Sequence, residues 1–202
     1  MNFDILKQHI TPRSCLDIGA NRSAWTKEAR KHWPDAIYLL VEGNPECREE
    51  LDASGENFRI ALLSDSEKEV TLWQRKGAPA CTGVSYKREV GTPFYEGDNA
   101  VGVPMMTQRL DDLVEGHPFD LIKIDTQGSE LDIFRGAPNT LASAKAVVME
   151  LSIIPYNQGA PLADEQIQFM ASHGFFVSAD LGEICHPISR EIIQKDVLFL
   201  RA

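Results

Sequence analysis

Three stretches of the chain end an apolar run on a glycine or an acid, the residue types that line a crevice for a small polar ligand. The first is CLDIGANRSAWT at residues 15–26, where an apolar run ends at Asp17, turns through Gly19-Ala20-Asn21 and opens into an amphipathic pattern. Glycine adopts dihedrals that a side chain forbids and lets a ligand approach the backbone, and Asn21 has the side chain of a helix cap. The free amides of such a helix start favour small polar ligand groups. An ordinary strand-to-helix turn uses the same residues. The second stretch lies 23 residues beyond Gly19, where Ile37-Tyr38-Leu39-Leu40-Val41 ends in Glu42, followed by Gly43 and Asn44. A carboxylate at the end of the second strand of an open sheet can accept from both hydroxyls of a ribose. Together the two stretches read as nucleoside binding, whereas Glu42 alone would read as a solvated strand-end acid.

The third stretch is FDLIKIDTQGSELDIFRGA, residues 119–137, a buried-strand pattern that ends with Lys123 and Asp125 and reaches Gly128 before a helical segment bearing Glu130. Glu150 closes the run Ala146–Met149 in the same manner. Ligands of open sheets sit at the carboxyl ends of the strands, which puts Asp125 and Glu150 near the first turn and Glu42. The rival reading is an ion pair between Lys123 and an acid that only orders the loop. A nicotinamide dinucleotide is disfavoured, because the turn runs Gly-Ala-Asn-Arg-Ser-Ala in place of G-x-G-x-x-G and no Tyr-x-x-x-Lys pair occurs. The sequence also lacks a Walker A loop, which argues against a triphosphate-cleaving enzyme. Cys15, Cys47, Cys81 and Cys185 are widely spaced, with no C-x-x-C pair and no histidine cluster at zinc-site spacing, and read as free thiols of a reducing compartment.

The elements that must position these residues follow from hydrophobic period. Strand-length apolar runs occur at Ser14–Ile18, Ala36–Glu42, Asn57–Leu63, Phe119–Asp125, Ala146–Leu151, Gly174–Asp180 and Asp196–Leu200. Their near-continuous apolar character suits a sheet buried on both faces, and the helical patterns between them suit crossover helices. Trp25, Ala29 and Trp33 form the apolar stripe of one helix that Pro34 ends, and Asn44-Pro45 opens the next. Further helices are read at Leu110–Val114, Ser129–Arg135 and Asp164–His173. The stretch from about 73 to 106 breaks the rhythm with Gly77, Pro79, Gly83, Gly91, Pro93, Gly97, Gly102 and Pro104. It is expected to be a lid or substrate loop, with a short strand at Val70–Trp73; the rival reading is an excursion carrying its own short hairpin.

Composition fits this reading. The 202 residues are 43% hydrophobic and 25% charged, which suits one globular domain spanning 1–202. Thirty acids against twenty bases give a formal charge of −10, which disfavours nucleic-acid and anionic-membrane partners. No apolar run approaches membrane-span or signal-peptide length, so a cytoplasmic location is expected.

In order along the chain, CLDIGAN, VEGNP, IALLSD, LDDL, IKIDTQGSELDIFRGA, VVMELS and the closing KDVLFLR resemble the FkbM family of S-adenosylmethionine-dependent methyltransferases. The resemblance runs from about Ser14 to Arg201. It implies an α/β, Rossmann-like methyltransferase fold: a seven-stranded, mostly parallel sheet with an antiparallel last strand and helices on both faces. It also implies O-methylation of a small molecule, sugar or polyketide-type acceptor. By position, the resemblance gives Asp17, Gly19, Ala20, Asn21 and Ser23 to the first cofactor motif and Glu42, Gly43 and Asn44 to the ribose end. Ala61 and Leu62 fall to the adenine side, and Asp125 and Gly128 face the transferred methyl group. Two residues depart from the family pattern: Ser23 stands where a second glycine is usual, and Gln127 where a glutamate is usual.

Asp125 and Glu150 are the expected proton acceptors, with His117 set aside because it precedes the fourth strand at its far end. A divalent cation could activate a hydroxyl, though no compact carboxylate cluster demands one. Tyr86 and Tyr95 offer flat faces to an acceptor, and Lys87 and Arg88 could attract an acidic one. A homodimer is left open. Two other classes remain: a non-catalytic binding module on the same fold, favoured by Ser23 and Gln127, and a nucleotide-sugar or nicotinamide enzyme on a similar sheet.

Overall fold

A computed structural model describes residues 1–186 and 188–202. Seven strands form the main sheet: β1 (Ser14–Ile18), β2 (Ile37–Glu42), β3 (Asn57–Ile60), β7 (Leu121–Ile124), β8 (Ala146–Ser152), β9 (Phe175–Cys185) and β10 (Ile192–Arg201). Their order is β3-β2-β1-β7-β8-β10-β9. The first five run parallel, while β10 is antiparallel to both of its neighbours. The expected reversed last strand is therefore present. Because the order turns outward from β1 on one side and β7 on the other, the carboxyl ends of these two strands open a crevice.

Strand alternation distributes the core. Leu16, Ile18, Ile122, Ile124, Val147 and Met149 face one side, where α4 (Leu110–Val114), α5 (Glu130–Arg135), α6 (Pro138–Ser143) and α7 (Ala163–Ser172) supply Leu110, Phe134, Leu141 and Met170. Cys15, Leu40, Leu121, Val148 and Leu198 face the other, under α1 (Phe3–His9), α2 (Ala24–His32) and α3 (Arg48–Asp52). Each fully buried leucine contributes roughly 1.5–3 kcal/mol, so both faces of the sheet carry the fold. The two helices without a sequence expectation, α1 and α6, are short. Asn2 caps α1 by accepting from the amides of Asp4 and Ile5.

Two expectations need correction. The run Asn57–Leu63 is not one strand: β3 ends at Ile60, and β4 (Leu62–Leu63) leaves the main sheet. The Leu62 side chain packs over Gly43, where a Cβ would lie 2.6 Å from Leu62 Cδ1. The second correction concerns residues 73 to 106. Both ends of that stretch are strands, β5 (Glu69–Arg75) and β6 (Ala100–Gln108), paired as an antiparallel hairpin, and the irregular part is confined to 76–99. The glycine and proline that argued against regular structure both fit a strand here. Pro104 lies opposite Thr71, while β4 pairs with β6 only at Thr107 and Gln108, so the outer edge of β6 is free at the proline. Gly102 makes room for the Trp73 ring, which a Cβ would approach to 3.3 Å.

Candidate active site

The turn after β1 is built by close approach of backbone to backbone. Gly19 has φ +73°, and a Cβ there would lie 1.8 Å from the carbonyl oxygen of Asp125. The glycine thus seats the β1 turn against the end of β7, and the approach expected between Gly19 and a ligand is made by the protein itself. Beneath the turn, the Lys123 ammonium lies 3.2 Å from Asp17 Oδ1 and 3.6 Å from Asp125 Oδ2, and donates to the Gly19 carbonyl at 3.1 Å. Burial alone would lower the Lys123 pKa, but the two aspartates outweigh it and hold the ammonium charged. Asp17 is wholly buried and also accepts from Thr26 Oγ at 2.6 Å, which fastens α2 to the sheet.

Glu42 ends β2 as a nearly buried carboxylate. Its Oε2 accepts the Asn21 amide and its Oε1 the Asn44 amide, each at 2.7 Å. Burial pushes its pKa up and these two amides pull it down, with burial prevailing. Each oxygen keeps a second acceptor position. Asn21 does not cap α2: it has φ +47°, and its side-chain amide lies 3.7 Å from Cys47 Sγ. Ser23 stands at the N-cap position in a left-handed conformation and makes no capping bond.

These elements surround a cleft of about 700 Å³. Of the residues with an expected cofactor role, Gly19, Asn21, Glu42, Gly43, Asn44, Ala61, Leu62 and Asp125 line it. Asp17, Ala20, Ser23 and Gly128 do not. Ala20 and Ser23 are buried under the turn. Gly128, at φ +100°, is a seat for a neighbouring loop, since a Cβ there would lie 2.6 Å from Ala160 Cβ. The opposite wall comes from the irregular segment, with Cys81, Thr82, Ser85 and Tyr86, and from Leu72 of β5. Ser85 Oγ donates to the Thr126 carbonyl at 3.1 Å, and the Asn44 side-chain amide donates to the Pro79 carbonyl at 2.7 Å. None of these wall residues belongs to a recognisable motif.

A second basin of about 930 Å³ adjoins the cleft and shares Cys81, Thr82, Gly83, Asp125 and Gln127 with it. Its other walls include Glu150, Gln194, Glu89, Arg75, Phe94, Tyr95 and Tyr156. Gln127 bridges the two expected acids: its amide nitrogen donates to Asp125 Oδ1 at 2.9 Å and to Glu150 Oε2 at 2.8 Å. Burial, then the Asp125 charge, raises the Glu150 pKa well above the usual carboxylate range. Arg75 lies over the Phe94 ring, 4.6 Å from its centroid. Tyr95 is buried and donates to the Thr82 carbonyl at 3.3 Å, so it props the segment instead of projecting from it. Tyr86 lies within 3.2 Å of both Ser64 Oγ and Asp132 Oδ2, and lines the cleft rather than the basin.

The basic pair does not face the basin. Lys87 is 3.1 Å from Asp132, and the Arg88 guanidinium lies over Trp73. His117, at the amino end of β7, is held by the Val114 carbonyl at 2.8 Å. Among the described residues no group of three or more histidine, cysteine, aspartate or glutamate side chains is arranged to hold a metal ion.

The irregular segment is roofed by a second loop. Val90 donates to the Tyr156 carbonyl and Gln158 to that of Arg88, each at 2.8 Å, and Asn157 donates from its side chain to the Lys87 carbonyl at 3.0 Å. No helix among the described residues is long and apolar enough to cross a membrane.

Comparison with known proteins agrees with the fold. No curated protein sequence matches the chain. Among solved structures, precorrin-6y C5,15-methyltransferase from Geobacter metallireducens is similar at TM-score 0.53 and 12% identity, covering 99% of this chain and 87% of that one. An O-methyltransferase family protein from Burkholderia thailandensis is similar at TM-score 0.55 and 11% identity, over 98% of this chain and 55% of that one. Sp1610 of Streptococcus pneumoniae, a putative tRNA (m1A22) methyltransferase, is similar at TM-score 0.53 and 11% identity, over 99% and 69%. At such identities these likenesses establish the fold. The methyltransferase FkbM domain matches residues 17–177, and the chain therefore belongs to that family of S-adenosylmethionine-dependent methyltransferases.

Proposed function

We propose that the protein transfers a methyl group from S-adenosylmethionine to a hydroxyl of a small, non-anionic acceptor. The observation that carries this is the junction of the two cavities: one crevice is lined by the Glu42 carboxylate, and it meets, at Asp125 and Gln127, a basin with a further carboxylate, Glu150. The residues fit the cofactor. Ala61, Leu62 and Leu72 offer an apolar end for an adenine, Glu42 retains acceptor positions for a ribose, and Asp125 places negative charge where a methionine ammonium and sulfonium would lie. When bound, the cofactor supplies a methyl carbon on a positively charged sulfur, a group already activated for displacement.

The chain's own residues then have three tasks. The segment 76–99 and the 153–162 loop cover the basin and keep water from the acceptor. The strand ends hold both partners in line, and such orientation is worth roughly 7–11 kcal/mol. Glu150 takes the hydroxyl proton, a contribution of roughly 10²–10⁴ in rate. Glu89 and Asp125, joined by Glu150 when it is ionised, outnumber the guanidinium of Arg75 and make the basin unfavourable for phosphates and polyanions, which supports a small neutral or cationic acceptor over nucleic acid.

The test is incubation of cell extract with the protein and methyl-labelled S-adenosylmethionine, followed by mass spectrometry. The expected result is a labelled methyl ether on a small molecule. Label found only on RNA, on protein or on nitrogen would overturn the reading.

A further inference from the structure

Glu150 is held asymmetrically. Its Oε2 accepts two amides, from Gln127 at 2.8 Å and from Gln194 at 2.6 Å. Its Oε1 has no hydrogen bond or ion pair among the described residues, and it is not sealed from solvent as a buried orphan would be. Both Glu150 and Gln194 line the basin, and no signal in the sequence singled out Gln194. Gln194 reaches Glu150 because β10 runs against β8: Gln194 pairs with Ser152, and Asp196 with Glu150 itself.

With Glu150 ionised, both amides present nitrogen, since an amide oxygen at these distances from a carboxylate would be repelled. The amides stabilise the ionised carboxylate and occupy the same oxygen. When Glu150 gains a proton, that proton therefore goes to the other oxygen, Oε1, which has no partner among the described residues and keeps contact with solvent.

Resting on the function proposed above, we infer that Gln194 is a positioning residue: with Gln127 it clamps Oε2 and commits Glu150 to act as a base through Oε1. In the step this serves, the acceptor O–H bond breaks and its proton passes to Glu150 Oε1. The oxygen's electron pair forms the new O–CH3 bond, and the S–CH3 bond electrons leave with sulfur, giving a neutral thioether.

The experiment is a pH titration of the protein labelled with carboxyl-¹³C glutamate, the Glu150 signal being assigned by its loss in Glu150→Gln. Removing one donor to the ionised form, in Gln194→Met, is expected to raise the Glu150 midpoint by about one pH unit. Gln127→Met is the second variant and is expected to shift the midpoint the same way, so a folding failure of one leaves the other to decide. In the labelled-extract assay, the acid limb of the rate against pH is expected to move up with the NMR midpoint. A midpoint that stays put in a variant that melts like the wild type and still binds S-adenosylmethionine overturns the clamp. So does an acid limb that ignores a shifted midpoint. A wild-type protein that labels no hydroxyl overturns the function instead, whatever the titration gives.

Discussion

The cleft and the basin meet at Asp125 and Gln127 but are made differently. The cleft is built mainly from strand termini and main chain: Gly19 packed on the Asp125 carbonyl, and Glu42 gripped by the amides of Asn21 and Asn44. The basin is built from side chains that arrive from far apart, with Arg75, Glu89 and Tyr95 from the hairpin region, Tyr156 from the loop after β8, and Gln194 from β10. A site made of strand ends inherits the rigidity of the sheet, whereas the basin is fixed on its strand side by Glu150 and Gln194 and can be rebuilt only on the side that the connections supply.

Four measurements would break or sharpen that contrast. The largest effect is expected at Gly19→Ala, because the new Cβ would have to displace the Asp125 backbone and the residue would keep a positive φ. Loss exceeding about 4 kcal/mol of stability, read by chemical denaturation, is the expected outcome. A mild effect would show that the cleft is as pliable as the basin.

Next comes Glu42→Ala, which removes an acceptor from the cleft and releases the Asn21 and Asn44 amides, so its affinity is read on protein whose melting shows it folded. S-adenosylmethionine affinity measured by calorimetry should fall roughly tenfold to a hundredfold, since a hydrogen bond to a charged group is worth about 1.5–3 kcal/mol. An unchanged affinity would move the ribose elsewhere.

On the basin side, Glu150→Gln is expected to stabilise the protein. The native state raises the Glu150 pKa, so the stability this group contributes is fully present below the ordinary carboxylate pKa and is lost as pH rises through the native value. The amide does not titrate. At about pH 8 the variant should therefore melt above the wild type, by about 2–4 °C for each kcal/mol relieved, with the gap closing as the pH falls toward about 4. A variant that melts below the wild type at every pH would mean the basin is structural like the cleft.

The smallest effect belongs to Ser23→Gly. Ser23 has φ +61°, a conformation that glycine adopts without steric cost, and the substitution should add about 1 kcal/mol with no change in cofactor affinity, because Ser23 lies off the cleft. The same φ gives a physical reason for a glycine at this position in the family pattern.

What could be read beforehand follows the same division. The sheet was legible because Leu16, Ile122 and Val147 lie in short, nearly continuous apolar runs, and a strand buried on both faces leaves that mark. Glu42 and Asp125 were legible because each ends such a run. Asp17 was named with them, yet period-2 alternation turns it away from the cleft and toward Thr26 of α2, a distinction that spacing from Gly19 does not encode. The hairpin was obscured by Gly102 and Pro104, which are tolerated only because a large ring lies opposite one and the strand edge is open at the other. Gln194 left no trace, since nothing local marks a glutamine whose partner lies 44 residues away on an antiparallel neighbour. Gln127 stands where the family pattern has a glutamate and favours, by sequence, a non-catalytic reading. Its two bonds give it another use: a glutamate there would crowd a third negative charge against Asp125 and Glu150, while an amide lets both acids share one donor group.

The hairpin of β5 and β6 closes its stem upon itself, pairing Glu69 with Met106 through Arg75 with Ala100 before the segment 76–99 is presented to the site. A stem zipped in this way works like a socket: the piece it carries can be lengthened, shortened or replaced, and its two ends still return to the same spot beside β4. A change in that segment would therefore reshape the basin and the 81–86 wall of the cleft together, while the strand-end wall from Gly19 to Glu42 stays in place.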